Sequence, residues 1–180
     1  LSKHQGVDKI AFTGSTEIGK RIVKNSARNL KRVQLELGGK GANIVFEDAN
    51  IPAAVGGSAF AIFHNQGQAC IAGSRLILHE SIADEFIERF VALANSIKLG
   101  NPLDSASEMG PLTSRLHQER VLNYVKIALE EGGELLAGGK VPKGLENGNF
   151  IEPTIMKVDP DSTVCQEEVF GPFVTISTFS

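Results

Sequence analysis

The sequence has few cysteines and no cluster of potential metal ligands. Only Cys70 and Cys165 occur among the 180 residues. Two cysteines do not make a disulfide framework, and no Cys/His group has the spacing of a zinc site. We therefore expect a reducing compartment, with the cytoplasm as the default, and no bound metal.

The sequence also lacks a basic excess, a long apolar run and an N-terminal signal. The formal net charge of −3 leaves no surplus of cations to neutralise phosphates, so nucleic-acid binding is not expected. No apolar run approaches the roughly 20 residues that span a bilayer, so no membrane segment is expected either. The opening LSKHQGVDKIAF lacks the charged and apolar regions of a secretion signal and an initiator methionine, which favours a piece of a longer chain.

Apolar patterns of two kinds alternate along the chain. Between Ile82 and Ile97 the apolar residues recur at steps of three and four, which predicts an amphipathic helix. Helices are predicted over about 16–28, 47–66, 82–97 and 115–131, and strands over 7–12, 33–37, 44–46, 75–79, 133–139, 150–158 and 173–179. This alternation favours an α/β fold with a largely parallel sheet.

The glycine turn Gly14–Gly19, GSTEIG, follows a predicted strand and opens a predicted helix, with Ser15 or Thr16 as its N-cap. Backbone N–H groups and the positive end of the helix dipole would suit a phosphate there. The turn is not G-x-G-x-x-G, and it lacks the lysine of a P-loop. By itself it is compatible with a structural turn or with a cofactor loop.

Glu36 lies near the end of a predicted strand, in LELGGKG. Its apolar neighbours Leu35 and Leu37 would desolvate the carboxylate and favour a role as general base. The alternative is a strand glutamate that points into solvent.

Cys70 lies in the polar, glycine-rich segment FHNQGQACIAGSR. The glycines permit a close approach of backbone, and the N–H groups of such a segment could stabilise an oxyanion. A thiolate there would be a strong nucleophile towards a carbonyl carbon. A buried structural cysteine remains the alternative, and Cys165 is predicted to be an ordinary, partly buried thiol.

The segment QEEVFGPF places Glu167 and Glu168 before Phe170 and a Gly-Pro turn. Two adjacent acids are usually solvated, but an acid beside an aromatic ring at a turn can also hold a ribose. The four histidines are scattered and suggest no catalytic pair with Cys70.

Four motifs in this order, FTGSTEIG, LELGGK, NQGQACIAGSR and EEVFGP, resemble the NAD(P)-dependent aldehyde dehydrogenase superfamily. The resemblance covers essentially all 180 residues, because connecting segments such as GNPLD, MGPL and NFIEPTI also fit the family pattern. It implies an α/β fold with a Rossmann-like, three-layer catalytic domain over residues 40–180 and a mostly parallel sheet. Residues 1–39 would be the C-terminal remnant of the NAD(P)-binding domain.

The resemblance also assigns roles to residues. Cys70 would be the nucleophile that forms a thiohemiacetal and then a thioester, and Glu36 the base that activates water to hydrolyse the thioester. The presence of Glu36 favours the hydrolytic over the acylating members of the family. The residues that would bind NAD or NADP are Gly14, Ser15, Thr16, Gly19, Leu37, Gly38, Glu168 and Phe170.

The implied reaction is the oxidation of an aldehyde to a carboxylic acid with NAD(P)+, in a protein that forms homodimers or homotetramers. Family members are longer than this chain, and their missing parts include an oxyanion-hole asparagine and the adenosine-ribose site. The 180 residues alone are therefore expected to be inactive. Two alternatives are a non-catalytic domain fragment and a cofactor-independent thiol esterase that uses Cys70 and Glu36.

Overall fold

The structure, a computed structural model, describes residues 1–180 and divides into two compact units. The N-terminal unit comprises Leu1–Gly39, and the C-terminal unit comprises Lys40–Ser180. The elements of the N-terminal unit are β1 (Lys9–Gly14), α1 (Thr16–Ser26) and β2 (Arg32–Leu37).

The N-terminal unit is a strand–helix–strand motif with its two strands parallel. β1 pairs with β2 so that Thr13 lies beside Glu36 and Gly14 beside Leu37. α1 begins where the Ser15 hydroxyl accepts a hydrogen bond from the Ile18 N–H, which satisfies one of the unpaired amides of the first turn. The register brings the carboxyl ends of both strands together, beside the start of α1.

The C-terminal unit is a five-stranded sheet in the order β3-β4-β7-β6-β5, in which only β5 runs antiparallel to its neighbour. Its elements are β3 (Ala42–Val45), α2 (Ile51–Phe63), β4 (Arg75–His79), α3 (Ala83–Ser96), α4 (Arg115–Glu130), β5 (Glu134–Ala137), β6 (Thr154–Lys157), α5 (Thr163–Gln166) and β7 (Phe173–Phe179). The predicted α/β fold with a mostly parallel sheet is confirmed.

The core of the C-terminal unit has two parts, one on each face of the sheet. One part joins α2 and α3 to strand residues such as Ile155 and Val174, and the other joins α4 and α5 to Met156 and Phe173. Successive strand residues point to opposite faces. Helices therefore cover both faces, which gives three layers and explains why the first three residues of β6 and the first four of β7 are all buried.

The structure differs from the sequence-based expectation in several places. β1 and β6 begin at Lys9 and Thr154 rather than at residues 7 and 150, and α2 begins at Ile51 rather than at residue 47. α2 ends at Phe63 rather than near residue 66, because Asn65, Gln66 and Gly67 have left-handed backbone conformations. The short α5 was not predicted. Cys165 lies in α5 and is fully buried, so the expectation of a partly buried thiol is wrong. No helix combines the length and the apolar character that a membrane span needs.

Candidate functional site

In the N-terminal unit, the glycine turn and the end of β2 lie side by side. Gly14 pairs with Leu37, and a methyl group on Gly19 would come within 2.7 Å of the Leu37 side chain. Glycine at position 19 thus lets the first turn of α1 pack directly on β2. The structure brings together the residues that the sequence had singled out here: Gly14, Ser15, Thr16, Gly19, Leu37 and Gly38.

The N-terminus of α1 has the donor groups that a phosphate needs. The amides of Thr16 and Glu17 open the helix, so no carbonyl oxygen of an earlier helical turn can accept from them. Ser15 caps the next amide, and α1 has 11 residues to align its peptide dipoles towards this end. The residues present therefore fit an anionic group such as a pyrophosphate.

Glu36 does not have the surroundings that its neighbours suggested. Leu35 and Leu37 are only half-buried, and Glu36 itself is exposed in β2. The alternating pattern of the strand places the carboxylate on the opposite side from both leucines, because successive side chains point to opposite faces. The expected desolvation by Leu35 and Leu37 is therefore wrong, and the carboxylate is accessible to water.

In the C-terminal unit, three loops meet at the amino ends of three neighbouring parallel strands. The loop before β3 meets the Cys70 segment where the Arg75 N–H donates to the Gly41 carbonyl oxygen at 3.1 Å. The Cys70 segment meets β7 where the Thr175 N–H donates to the Ser74 carbonyl oxygen at 3.0 Å. The segment Glu167–Gly171 ends just before β7. The Cys70 segment and the segment Glu167–Gly171 therefore lie at the same end of the sheet, where these strands begin.

The loop that carries Cys70 begins with a left-handed turn and is held by side-chain amides. Asn65 and Gln66 have φ values of 52° and 56°, which is uncommon for residues other than glycine. The Asn65 amide donates to the Gln68 carbonyl oxygen at 2.9 Å, and the Gln68 Oε1 atom accepts from the Thr113 N–H at 3.1 Å. The polar residues around the cysteine therefore shape the loop.

The two cysteines differ in accessibility. Cys70 is exposed, whereas Cys165 is 1% exposed within the core beneath α4. The structural alternative for Cys70, a small buried apolar side chain, is thus excluded in this structure. Cys70 is therefore accessible from solvent, whereas Cys165 is not.

The segment Glu167–Gly171, called the acidic turn from here on, lies against the Cys70 loop. A methyl group on Gly67 would overlap the carbonyl group of Gly171, so the two backbones touch at this point. Gly67 also has a φ of 66°, a conformation that favours glycine. Glu168 is half-buried, and Phe170 is 38% exposed with a φ of 60°. The structure therefore brings Cys70, Glu168 and Phe170 to one region of the C-terminal unit.

A half-buried lysine, Lys40, adds positive charge near this turn. The Lys40 Nζ atom and the Arg75 Nε atom are buried without a hydrogen-bond partner. Burial lowers the pKa of Lys40 from 10.5 to about 8; Cys165 and Glu168 act in the opposite direction, and Arg75 lowers this pKa further. A lysine with a lowered pKa beside an acid of the candidate site indicates a functional region more often than a surface lysine does.

Sequence reasoning missed the residues that support the motifs. Lys40 was part of LELGGK, but no role was inferred for it. His117 contacts the turn, with its Nε2 atom 2.6 Å from the Phe170 carbonyl oxygen, and the Tyr124 hydroxyl donates to Glu167 at 2.7 Å. Their spacing on α4 places both on one helix face, which was the only signal the sequence contained.

The chain belongs to the aldehyde dehydrogenase family, whose model matches residues 1–180. It is 46% identical over 183 residues to betaine aldehyde dehydrogenase of Bacillus subtilis, and 47% identical over 181 residues to human mitochondrial aldehyde dehydrogenase. These alignments cover 100% and 99% of this chain, but only 37% and 35% of the two relatives. The chain thus spans little more than a third of the length of the curated relatives it matches.

Solved structures agree with this assignment. PnpE from Pseudomonas sp. WBC-3 superposes with a TM-score of 0.98 at 67% identity, over 100% of this chain and 37% of PnpE. PnpE has also been solved in complex with nicotinamide adenine dinucleotide. Betaine aldehyde dehydrogenase from Staphylococcus aureus, solved with NAD+, superposes with a TM-score of 0.97 at 42% identity, over 99% of this chain and 36% of that one.

Proposed function

We propose that this chain is the part of an aldehyde dehydrogenase that holds the catalytic cysteine, and that the complete protein oxidises an aldehyde to a carboxylic acid with NAD(P)+. The observation that carries the proposal is the exposed Cys70 thiol, on a loop whose Gly67 touches Gly171 of the acidic turn. Membership of the aldehyde dehydrogenase family gives this pairing its chemical meaning.

Cys70 is the nucleophile in this proposal. Its thiolate adds to the aldehyde carbon, the C–S bond forms, and the carbonyl electron pair moves to the oxygen. Backbone N–H groups of the Cys70 loop stabilise that oxyanion. When bound, NAD(P)+ would supply the acceptor for the hydride of this carbon. Loss of that hydride would restore the C=O bond and leave the acyl group on Cys70 as a thioester.

Glu36 is the proposed general base of the second half of the reaction. Its carboxylate takes a proton from a water molecule, which attacks the thioester carbon. The C–S bond then breaks, releasing the carboxylic acid and the Cys70 thiolate. The exposure of Glu36 in β2 supports the role, because the carboxylate has access to water.

The cofactor-binding residues are proposed on the two units separately. In the N-terminal unit the first amides of α1, at Thr16 and Glu17, would hold the pyrophosphate, and the backbone at Leu37 and Gly38 would lie near the nicotinamide. In the C-terminal unit, Glu168 would hydrogen-bond the nicotinamide ribose, with Phe170 packed beside it. PnpE and the S. aureus enzyme have both been solved with NAD. Of the two cofactors NAD and NADP, NAD is therefore the one to test first.

We assign residues 1–39 to the end of the NAD(P)-binding domain and residues 40–180 to the catalytic domain. The division of the structure into units at Gly39 and Lys40 supports this boundary. A homodimer or homotetramer is proposed for the complete protein.

The test uses the complete dehydrogenase that contains this sequence, with a simple aliphatic aldehyde and NAD+ or NADP+. We expect reduced cofactor to form, Cys70→Ala to lower kcat about a thousandfold or more, and Glu36→Gln to leave a single-turnover burst followed by slow hydrolysis. The isolated 180 residues should form no NADH. Hydrolysis of p-nitrophenyl acetate that depends on Cys70, with no aldehyde oxidation in the complete protein, would refute the proposal in favour of a thiol esterase.

A further inference from the structure

One face of α4 contacts the acidic turn at three successive points. His117, Val121 and Tyr124 are spaced by four and three residues, so they share that face. The His117 Nε2 atom lies 2.6 Å from the Phe170 carbonyl oxygen, and the Tyr124 hydroxyl donates to the Glu167 Oε2 atom at 2.7 Å. Between them, a methyl group on Gly171 would come within 2.7 Å of Val121. Helix and turn are therefore in direct contact along the whole segment.

The first contact stabilises an uncommon backbone conformation. Phe170 has a φ of 60°, which a bulky aromatic residue keeps only when its surroundings impose it. A carbonyl oxygen only accepts hydrogen bonds, so His117 must carry a proton on Nε2. Its ring also meets the Phe170 ring edge to face, with the centroids 6.1 Å apart. His117 thus holds Phe170 by its backbone and by its ring.

The third contact separates two adjacent carboxylates. Glu167 has extended backbone angles, φ −104° and ψ 149°, and in extended backbone successive side chains point to opposite sides. Because Tyr124 draws Glu167 towards α4, Glu168 is directed away from α4. Burial and the hydrogen bond to Glu167 raise the pKa of Tyr124, so its hydroxyl keeps the proton that it donates.

The loop before α4 also contacts the Cys70 loop. The Thr113 N–H donates to the Gln68 Oε1 atom, two residues before Cys70. The same helix that holds the acidic turn is therefore joined, through its preceding residues, to the Cys70 loop.

We propose that α4 is a positioning element for the cofactor, in which His117 and Tyr124 fix the turn so that Glu168 and Phe170 are directed to the nicotinamide ribose. This inference rests on the proposed function, which gives Glu168 and Phe170 their ligand. Neither His117 nor Tyr124 is assigned a contact with the cofactor.

Two substitutions that keep an aromatic ring test the proposal in the complete dehydrogenase with NAD+. His117→Phe keeps the aromatic edge but removes the donor, and Tyr124→Phe removes the hydroxyl, which bonds Glu167 and also interacts with Arg120. We expect each substitution to raise the KM for NAD+ about tenfold and to leave the KM for the aldehyde unchanged. A tenfold change is what the loss of one hydrogen bond to a charged or strained partner can produce. His117→Gln restores a donor and should recover most of the loss. Leu116→Ala, at an exposed position of the same helix, is the matched control.

Amide hydrogen exchange over residues 167–173 is the second readout, and it needs no activity. Exchange should be faster in His117→Phe and Tyr124→Phe than in His117→Gln and Leu116→Ala. If the complete protein has no dehydrogenase activity, the proposed function fails while exchange still tests the positioning. The inference would be overturned by equal KM values for NAD+ in His117→Phe and His117→Gln. It would also be overturned if neither His117→Phe nor Tyr124→Phe changed the exchange over residues 167–173.

Discussion

The contact between Gly67 and Gly171 can be tested by adding one methyl group. In Gly67→Ala the new Cβ would overlap the Gly171 carbonyl group and lie 2.9 Å from the Ile62 carbonyl oxygen. All of these are backbone atoms, so no flexible side chain can move aside. Alanine would also have to adopt the φ of 66° that Gly67 has. We therefore expect the Cys70 loop and the acidic turn to separate.

The two effects differ in origin and can be estimated separately. Holding a non-glycine residue in the left-handed region costs about 1 kcal/mol. Forcing one extra carbon into a packed site costs about 1–3 kcal/mol more. The free energy of unfolding should fall by about 2–4 kcal/mol, and Tm by roughly 5–15 °C, since each kcal/mol shifts Tm by about 2–4 °C in chains of this size.

Gly132→Ala is the matched control for this prediction. Gly132 has a φ of 86°, also in the left-handed region, but a methyl group there would meet nothing within 4 Å. It should therefore lower the free energy of unfolding by only about 1 kcal/mol. The chain contains no tryptophan, so unfolding is best followed by far-UV circular dichroism. Equal destabilisation by the two substitutions would show that the Gly67–Gly171 contact has no steric cost, and would refute the reasoning.

Three further perturbations address the lysine, the thiols and a helix cap. The free energy of unfolding should rise between about pH 8 and pH 10.5, because the unfolded chain still binds the Lys40 proton there and the folded chain does not. Lys40→Met should remove that rise, as measured by urea titrations at several pH values. A pH profile identical to that of the unaltered chain would contradict the prediction. An aromatic disulfide reagent should modify one thiol quickly in the folded chain and two after denaturation, and Cys70→Ser should abolish the fast reaction; fast labelling of Cys165 would contradict its burial. Asn50→Ala removes the side chain that accepts from the Ala53 N–H at the start of α2. It should lower the free energy of unfolding by about 1 kcal/mol, which is measurable as a lower urea midpoint. An unchanged midpoint would show that water replaces the cap.

Much of the fold could be predicted because local patterns and tertiary packing agree in the long elements. The steps of three and four from Ile82 to Ile97 gave α3 to within a residue or so of its ends, since one face of that helix is buried against the sheet. The helix predicted over 47–66 exists as α2, but it begins at Ile51, where the Asn50 side chain caps it. The segment FVTISTF was predicted as a strand over 173–179, and β7 has these bounds.

What could not be predicted depends on contacts between distant residues. The end of α2 is set by the left-handed turn at Asn65 and Gln66, and some of the residues that hold this turn, such as Thr113 and Gly171, lie far away in the sequence. The contact between Gly67 and Gly171 joins residues far apart in the sequence, and so does the hydrogen bond from His117 to Phe170. The motifs located candidate residues, whereas the structure was needed to find what holds them in place.

The pairing of β4 with β7 has a consequence for how the cysteine loop forms during synthesis. Arg75 pairs with Thr175, and the Cys70 loop touches Gly171, so the loop cannot adopt its final shape until residues about 100 positions later have been made. At roughly 5–20 residues per second, translation leaves Cys70 without this partner for about 5–20 s. During that interval the Cys70 loop lacks the Gly171 contact that fixes its backbone. Formation of the loop is therefore coupled to the pairing of β7, which is the last of the five strands along the chain.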